Sequence, residues 1–218
     1  MMRTLLDLIL PMECGGCAAA GVAWCPRCRA ELAVEPIVVE PRVSPGVPCW
    51  ALGRYSGPRR RAVLAAKERG RRDLAEPLGA ALGSALDWLR REGELDPPEL
   101  ASLALVPAPT RSRAARMRGG DPVTRTASVA ARALPRCTVA PVLGLAGRTR
   151  DSVGLTVDQR QRNLAGRVQL RSGSSIPPRA NVVLLDDVIT TGTTARESVR
   201  TLRRAGIAVT VVLVVASA

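Results

Sequence analysis

The sequence predicts an α/β fold in which a central, mostly parallel sheet is flanked by helices and preceded by a small cysteine-bearing module. Three observations carry this. Residues 182–215 run from an apolar stretch through two carboxylates and a Thr/Gly turn into a helix and a second apolar stretch, the pattern of a right-handed βαβ unit. Hydrophobic residues make up 46% of the chain, yet only Trp24, Trp50, Trp88 and Tyr55 are aromatic and Phe is absent. The core is therefore Val, Leu, Ile and Ala, which suits a buried parallel sheet under Ala-rich helices. Four cysteines crowd into the first 33 residues as two C-x-x-C pairs. A length of 218 residues suffices for one domain with a sizeable core plus that module. The boundaries fall at 1–33 for an N-terminal helix and four-cysteine zinc knuckle, 34–48 for a Pro- and Val-rich linker, and 49–218 for the main domain.

The first apolar stretch, residues 4–10, contains Asp7 and ends at Pro11. It is too short for a membrane span and poor as the core of a signal peptide. No transmembrane segment is evident, so a cytoplasmic location is expected. Cys14, Cys17, Cys25 and Cys28 follow as C-x2-C-x7-C-x2-C. Two such pairs let two tight turns wrap four thiolates around one tetrahedral ion. In a reducing compartment this favours structural Zn2+ over disulfides, with an iron–sulfur cluster as the rival. Cys49 and Cys137 are isolated and read as small apolar residues.

In the main domain, 50–55 reads as a strand, and 58–67 and 74–91 as helices. Leu78, Leu82, Leu86 and Leu89 give the second helix an apolar stripe. After a turn at 93–98, residues 102–106 form a strand that runs into Pro107-Ala108-Pro109. An Arg-rich turn (Arg111, Arg113, Arg116, Arg118) leads to a helix at 123–134 and a strand at 138–145. Residues 146–157 are polar, contain glycine and lack a period, as expected of a mobile loop. A short strand at 167–170 and a loop at 172–178 precede the strand 182–186, the helix 195–205 with Gly206 at its end, and the strand 207–215.

Net charge is +13, from 31 Arg and a single lysine, Lys67, against 19 acids. A polyanion partner such as single-stranded DNA is one account; a genome that writes Arg wherever a cation is tolerated is the other. The sole lysine stands out as a possible point charge. With no His, no imidazole can act as base or metal ligand.

Residues 182–194 carry the most specific chemistry. Asp186 and Asp187 end an apolar strand, where open α/β sheets place their ligands. Ionised carboxylates accept hydrogen bonds only, and ribose hydroxyls donate them. Thr190, Thr191, Gly192, Thr193 and Thr194 offer hydroxyls, backbone N–H groups and one residue free to take positive φ. They open a helix whose N-terminus favours a phosphate dianion. The block resembles the motif by which type I phosphoribosyltransferases bind 5-phosphoribosyl-1-pyrophosphate (PRPP). A Walker B strand is the rival reading, but it should come with G-x-x-x-x-G-K-[ST], and the single lysine, Lys67, stands in no such context.

Other segments extend the resemblance to nearly the whole chain. The knuckle ending Trp24-Cys25-Pro26-Arg27-Cys28, Arg54-Tyr55-Ser56-Gly57 followed by Lys67, Val106-Pro107-Ala108-Pro109 with Arg118-Gly119, the segment from Arg148 to Asn163 and the Asp-Asp block occur in order. Together they resemble the ComF family of competence-associated, phosphoribosyltransferase-like proteins. The resemblance implies a type I phosphoribosyltransferase fold, with PRPP as substrate, Mg2+ as its companion ion, and a role in DNA uptake with single-stranded DNA and competence proteins as partners. It implies ribose binding by Asp186 and Asp187, 5′-phosphate binding by Thr190–Thr194, and a pyrophosphate loop at Pro107, Ala108 and Pro109. Arg148 and Arg150, with Arg160 and Asn163, fall in the position of the mobile catalytic loop. The sequence departs from the family at Gly120-Asp121, at Ser152 and at Val168. Trp50 and Tyr55 are the aromatics best placed to stack on a base.

Overall fold

The computed structural model describes residues 12–110, 120–146, 166–171, 173 and 175–218. The N-terminal stretch 4–10, the Arg-rich turn 111–119 and most of the expected loop, 147–157, lie outside the described residues.

Six strands form one sheet. They are β1 (Ile37–Val38), β2 (Cys49–Ala51), β3 (Leu103–Pro107), β4 (Cys137–Val139), β7 (Asn181–Ile189) and β8 (Val211–Ser217), in the order β1-β2-β8-β7-β3-β4. Every neighbouring pair is parallel except β1 with β2. Two further strands, β5 (Leu143–Leu145) and β6 (Val168–Leu170), pair antiparallel as a separate ribbon.

The described helices are α1 (Pro26–Leu32), α2 (Gly57–Glu68), α3 (Ala75–Arg91), α4 (Pro122–Arg132) and α5 (Thr193–Arg204). Alternation along the strands divides the core in two. Val183, Leu185, Leu213 and Val215 face α2, α3 and α4, and the predicted stripe of Leu78, Leu82, Leu86 and Leu89 packs against them. Val182, Leu184, Val212 and Val214 face the other way, onto Ala195, Val199 and Leu202 of α5 and onto Val142, Leu143 and Val168 of the ribbon. The interior strands are thus apolar on both faces, as a parallel sheet covered on both sides requires.

Four elements differ from the sequence expectation. The run 207–215 is a strand only from Val211, and it continues to Ser217, because Ile207 N–H still bonds back to Leu202 O of the preceding helix at 3.0 Å. The run 138–145 is two strands in two sheets, because Pro141 breaks it and Val142 N–H turns back onto Ala140 O at 2.8 Å. The run 50–55 pairs fully only over Cys49–Ala51, and beyond it Arg54 makes a lone bridge with Ser217. The run 182–186 continues to Ile189, because β8 extends to Ser217 and keeps pairing with it. Within 34–48, β1 adds the edge strand, and Val43 N–H donates to Thr191 O at 2.8 Å. No described helix is long and apolar enough to cross a membrane.

Candidate functional site

The site is built where β7 outruns its neighbour. β3 stops pairing at Pro107, opposite Leu185, and Ala108 N–H closes that end with a bond to Leu185 O at 2.7 Å. Asp186 and Asp187 follow at once, so they clear the carboxyl end of β3 while β8 still holds their backbone. The acids are therefore the sixth and seventh residues of a nine-residue strand rather than its end, yet open on one side.

Their environments differ. Asp187 carries an ion pair with Lys67, whose Nζ lies 2.9 Å from Oδ2 and 3.3 Å from Oδ1. The carboxylate is 17% exposed and the lysine 49%. Burial pushes the Lys67 ammonium down, but the charges of Asp187 and then Asp186 hold it above its usual range. Burial first, and then the charge of Asp187, push the Asp186 carboxyl up to about 8, against the pull of Lys67. Its Oδ1 accepts from Asp187 N–H at 2.8 Å. A polar ligand that supplies hydroxyl donors or a cation would favour the ionised form that burial resists.

Below the acids, Val63, Ala66, Leu78, Leu82, Val123 and Val215 line a small apolar pocket of about 20 Å³. Asp186 also borders a second small cavity, of about 30 Å³, formed by Val188 to Ala195. The turn from β7 into α5 makes this second cavity. Gly192 is the N-cap of α5 with φ +86°, and a Cβ there would stand 2.3 Å from Val43 O and 2.7 Å from Pro41 Cβ. Thr191 and Thr193 hydroxyls lie 3.0 Å apart, and Thr193 N–H leans on Thr191 Oγ1 at 3.4 Å. The next N–H groups, of Thr194 and Ala195, belong to the first helical turn, which has no acceptors within the helix. Hydroxyls, amides and the positive end of α5 thus converge on the cavity that Asp186 borders, an arrangement suited to a small oxyanion.

Pro107 and Ala108 are buried and Pro109 half-buried. Past them opens a cleft of about 580 Å³ lined by Thr110, Gly120, Asp121, Thr124, Arg125, Ser128, Leu143 and Arg171. Asp121 anchors its wall. It caps α4 by accepting from Thr124 N–H at 3.0 Å and Thr124 Oγ1 at 2.6 Å, and it takes the Thr110 hydroxyl at 2.7 Å. One departure from the family pattern therefore has a structural role. A second, Val168, is buried against α5 and the ribbon. Arg148, Arg150, Arg160, Asn163 and Ser152 lie outside the described residues.

Sequence reasoning marked Lys67 as a possible point charge but could not find its partner Asp187, and it gave Asp121 no structural role. Trp50 is a correction of a different kind: at 8% exposure it is core, packed edge-on against Trp88 with ring centres 5.6 Å apart, and has no face for a base. Tyr55 is half-buried, with Arg60 over its ring at 5.9 Å.

The second cluster is the knuckle. The sulfurs of Cys14, Cys17, Cys25 and Cys28 all lie within 4.8 Å of one another. Tetrahedral thiolate ligation of a metal such as zinc places sulfurs about 3.8 Å apart, so the set fits one ion. Burial raises Cys14, but N–H donors of Cys25, Cys17 and Gly16 outweigh it and draw the thiol down to about 6. Burial and then the neighbouring sulfurs push Cys28 far up. Such a set holds several thiolates together only around a cation. Gly16 leaves no room for a side chain, since a Cβ would meet Cys28 Sγ at 2.7 Å. Cys49 is buried away from this group, and burial pushes its thiol up to about 11.

No family model and no curated protein matches this chain.

Proposed function

We propose that the chain is a type I phosphoribosyltransferase-like protein that binds PRPP with Mg2+ and transfers phosphoribose to an acceptor nucleophile. One observation supports it above others: the acid pair and the Thr/Gly turn are consecutive parts of one strand–turn–helix, so sugar hydroxyls and a 5′-phosphate can be held from a single stretch of chain. In the proposed reaction the acceptor attacks C1 of the ribose and the C1–O bond to pyrophosphate breaks. Pyrophosphate leaves with the electron pair, and the acceptor gives up a proton. Asp186 and Asp187 accept from the ribose hydroxyls, and Thr190, Thr191, Gly192, Thr193 and Thr194 hold the 5′-phosphate. Pro107, Ala108 and Pro109 shape the pyrophosphate side. Arg148 and Arg150 are proposed to neutralise the leaving charge. Mg2+, when bound, neutralises phosphate oxygens and is held largely by the ligand and water. Zn2+ is the proposed ion of the four cysteines, and the cytoplasm is the compartment in which such thiols stay reduced.

A non-catalytic competence factor that senses PRPP or binds single-stranded DNA is the alternative, supported by the net charge of +13. The burial of Trp50 counts against base stacking and leaves such binding to phosphate contacts.

Calorimetric titration of PRPP with Mg2+ tests the proposal, with ribose 5-phosphate as control. Mg2+-dependent binding that prefers PRPP is expected. Asp186→Asn with Asp187→Asn should weaken it at least about 100-fold, the scale of two lost charged hydrogen bonds. Unchanged binding in a folded double variant would reject the site.

A further inference from the structure

The outer face of α5 carries Arg196, Arg200, Arg203 and Arg204, at i, i+4, i+7 and i+8, so four guanidinium groups share one side of the helix. Arg200 pairs with Glu197 of the same helix. Among the described residues no carboxylate pairs with Arg196, Arg203 or Arg204, and all three are exposed. Facing them is Ser44-Pro45-Gly46, where Gly46 N–H is held by Ser44 Oγ at 3.1 Å. Helix and segment bound a cleft of about 530 Å³, inside the range of small-ligand sites. The wall does not hang free. Its preceding residues pack on the phosphate turn, through the Val43–Thr191 bond and the contact of Pro41 and Val43 with Gly192.

Unpaired like charges along one helix face repel and cost stability unless an anion sits among them. Guanidinium forks match phosphate oxygens two at a time. The lining combines Ser44 and the four arginines with Pro45, Gly46 and Val199, and no aromatic ring is present to stack a base. We propose that this cleft is a binding site for a small, multiply charged phosphate anion, such as inorganic polyphosphate or the phosphate chain of a nucleotide. It is separate from the cavity that Asp186 borders, and it does not depend on the phosphoribosyl proposal.

The test is a titration of the full-length, metal-loaded protein with inorganic tripolyphosphate, followed by backbone amide shifts. Saturable shifts at Ser44, Gly46 and Arg196 are expected. Arg196→Gln/Arg203→Gln/Arg204→Gln should weaken them about tenfold or more, whereas Arg61→Gln/Arg69→Gln/Arg91→Gln, which removes the same charge elsewhere, should change affinity less than about twofold. Adenosine triphosphate and a twelve-nucleotide oligothymidylate are the comparison arms. Tighter triphosphate binding at the same amides identifies a nucleotide as the source, and equal binding identifies the phosphate chain alone. Equal losses in the two triple variants, shifts confined to Thr190–Thr194, or an oligonucleotide binding about tenfold tighter than tripolyphosphate would each overturn the proposal.

Discussion

Asp186 holds its proton up to about 8 in the folded chain, whereas a free aspartate releases it near 3.8. Between those values the folded state binds more protons than the unfolded one, so stability falls as pH rises. The contribution is fully present below about 3.8 and is lost as pH climbs through about 8. Asp186→Asn should therefore melt higher than the parent at pH 8, with the gap closing toward pH 4, while PRPP binding is lost. Thermal melts across that range check the first half and calorimetry the second. A gap that ignores pH would show that burial does not load this carboxyl. Lys67 forms an ion pair with the other acid, Asp187. The sequence showed only that one lysine persists among 31 arginines. Its partner lies 120 positions away, a distance no local pattern spans.

The turn joining β7 to α5 has its own constraint. At Gly192 any larger residue meets both a positive φ and the strap at Pro41 and Val43. Gly192→Ala should cost about 1–3 kcal/mol in denaturant melts and weaken phosphate-ester binding more than stability alone explains. An alanine variant with parental stability would mean the strap yields freely. The Gly in the turn was legible from sequence, since only Gly takes that conformation without strain. The strap behind it was not, because residues 34–48 lack the apolar period that marks a packed element. Helices α2 and α3 were legible nearly to the residue from the Leu stripe and the flanking Pro and Gly. The run 138–145 was misread as one strand because its apolar content continues across Pro141. The acid pair was read as the end of its strand, but β7 runs on to Ile189, because strand length depends on how far β8 runs beside it.

At the scale of the molecule, the knuckle is seated on the domain that carries the acid pair. Arg71 reaches Glu13 O at 3.0 Å and Ala23 O at 3.5 Å while paired with Asp73, and Arg59 donates to Glu31 O. Leu74, just ahead of α3, fills the space beside Gly15. Removing the metal should release four clustered thiols and loosen this seat, lowering the melting temperature by several degrees while sheet circular dichroism persists. Metal analysis should find about one zinc ion per chain before chelation. A melt unmoved by complete metal removal would show that the cluster is not structural.

The sheet ends in very short strands, two residues of β1 on one side and three of β4 on the other. Its two central strands, β7 and β8, are long, largely apolar and rich in Val, the composition most prone to cross-β self-association once uncovered. Ile37 and Val38 are exposed, but a two-rung ladder gives an incoming strand too little to hold. Among the described residues, the sheet thus keeps its aggregation-prone segments in its middle and has stubs at both edges.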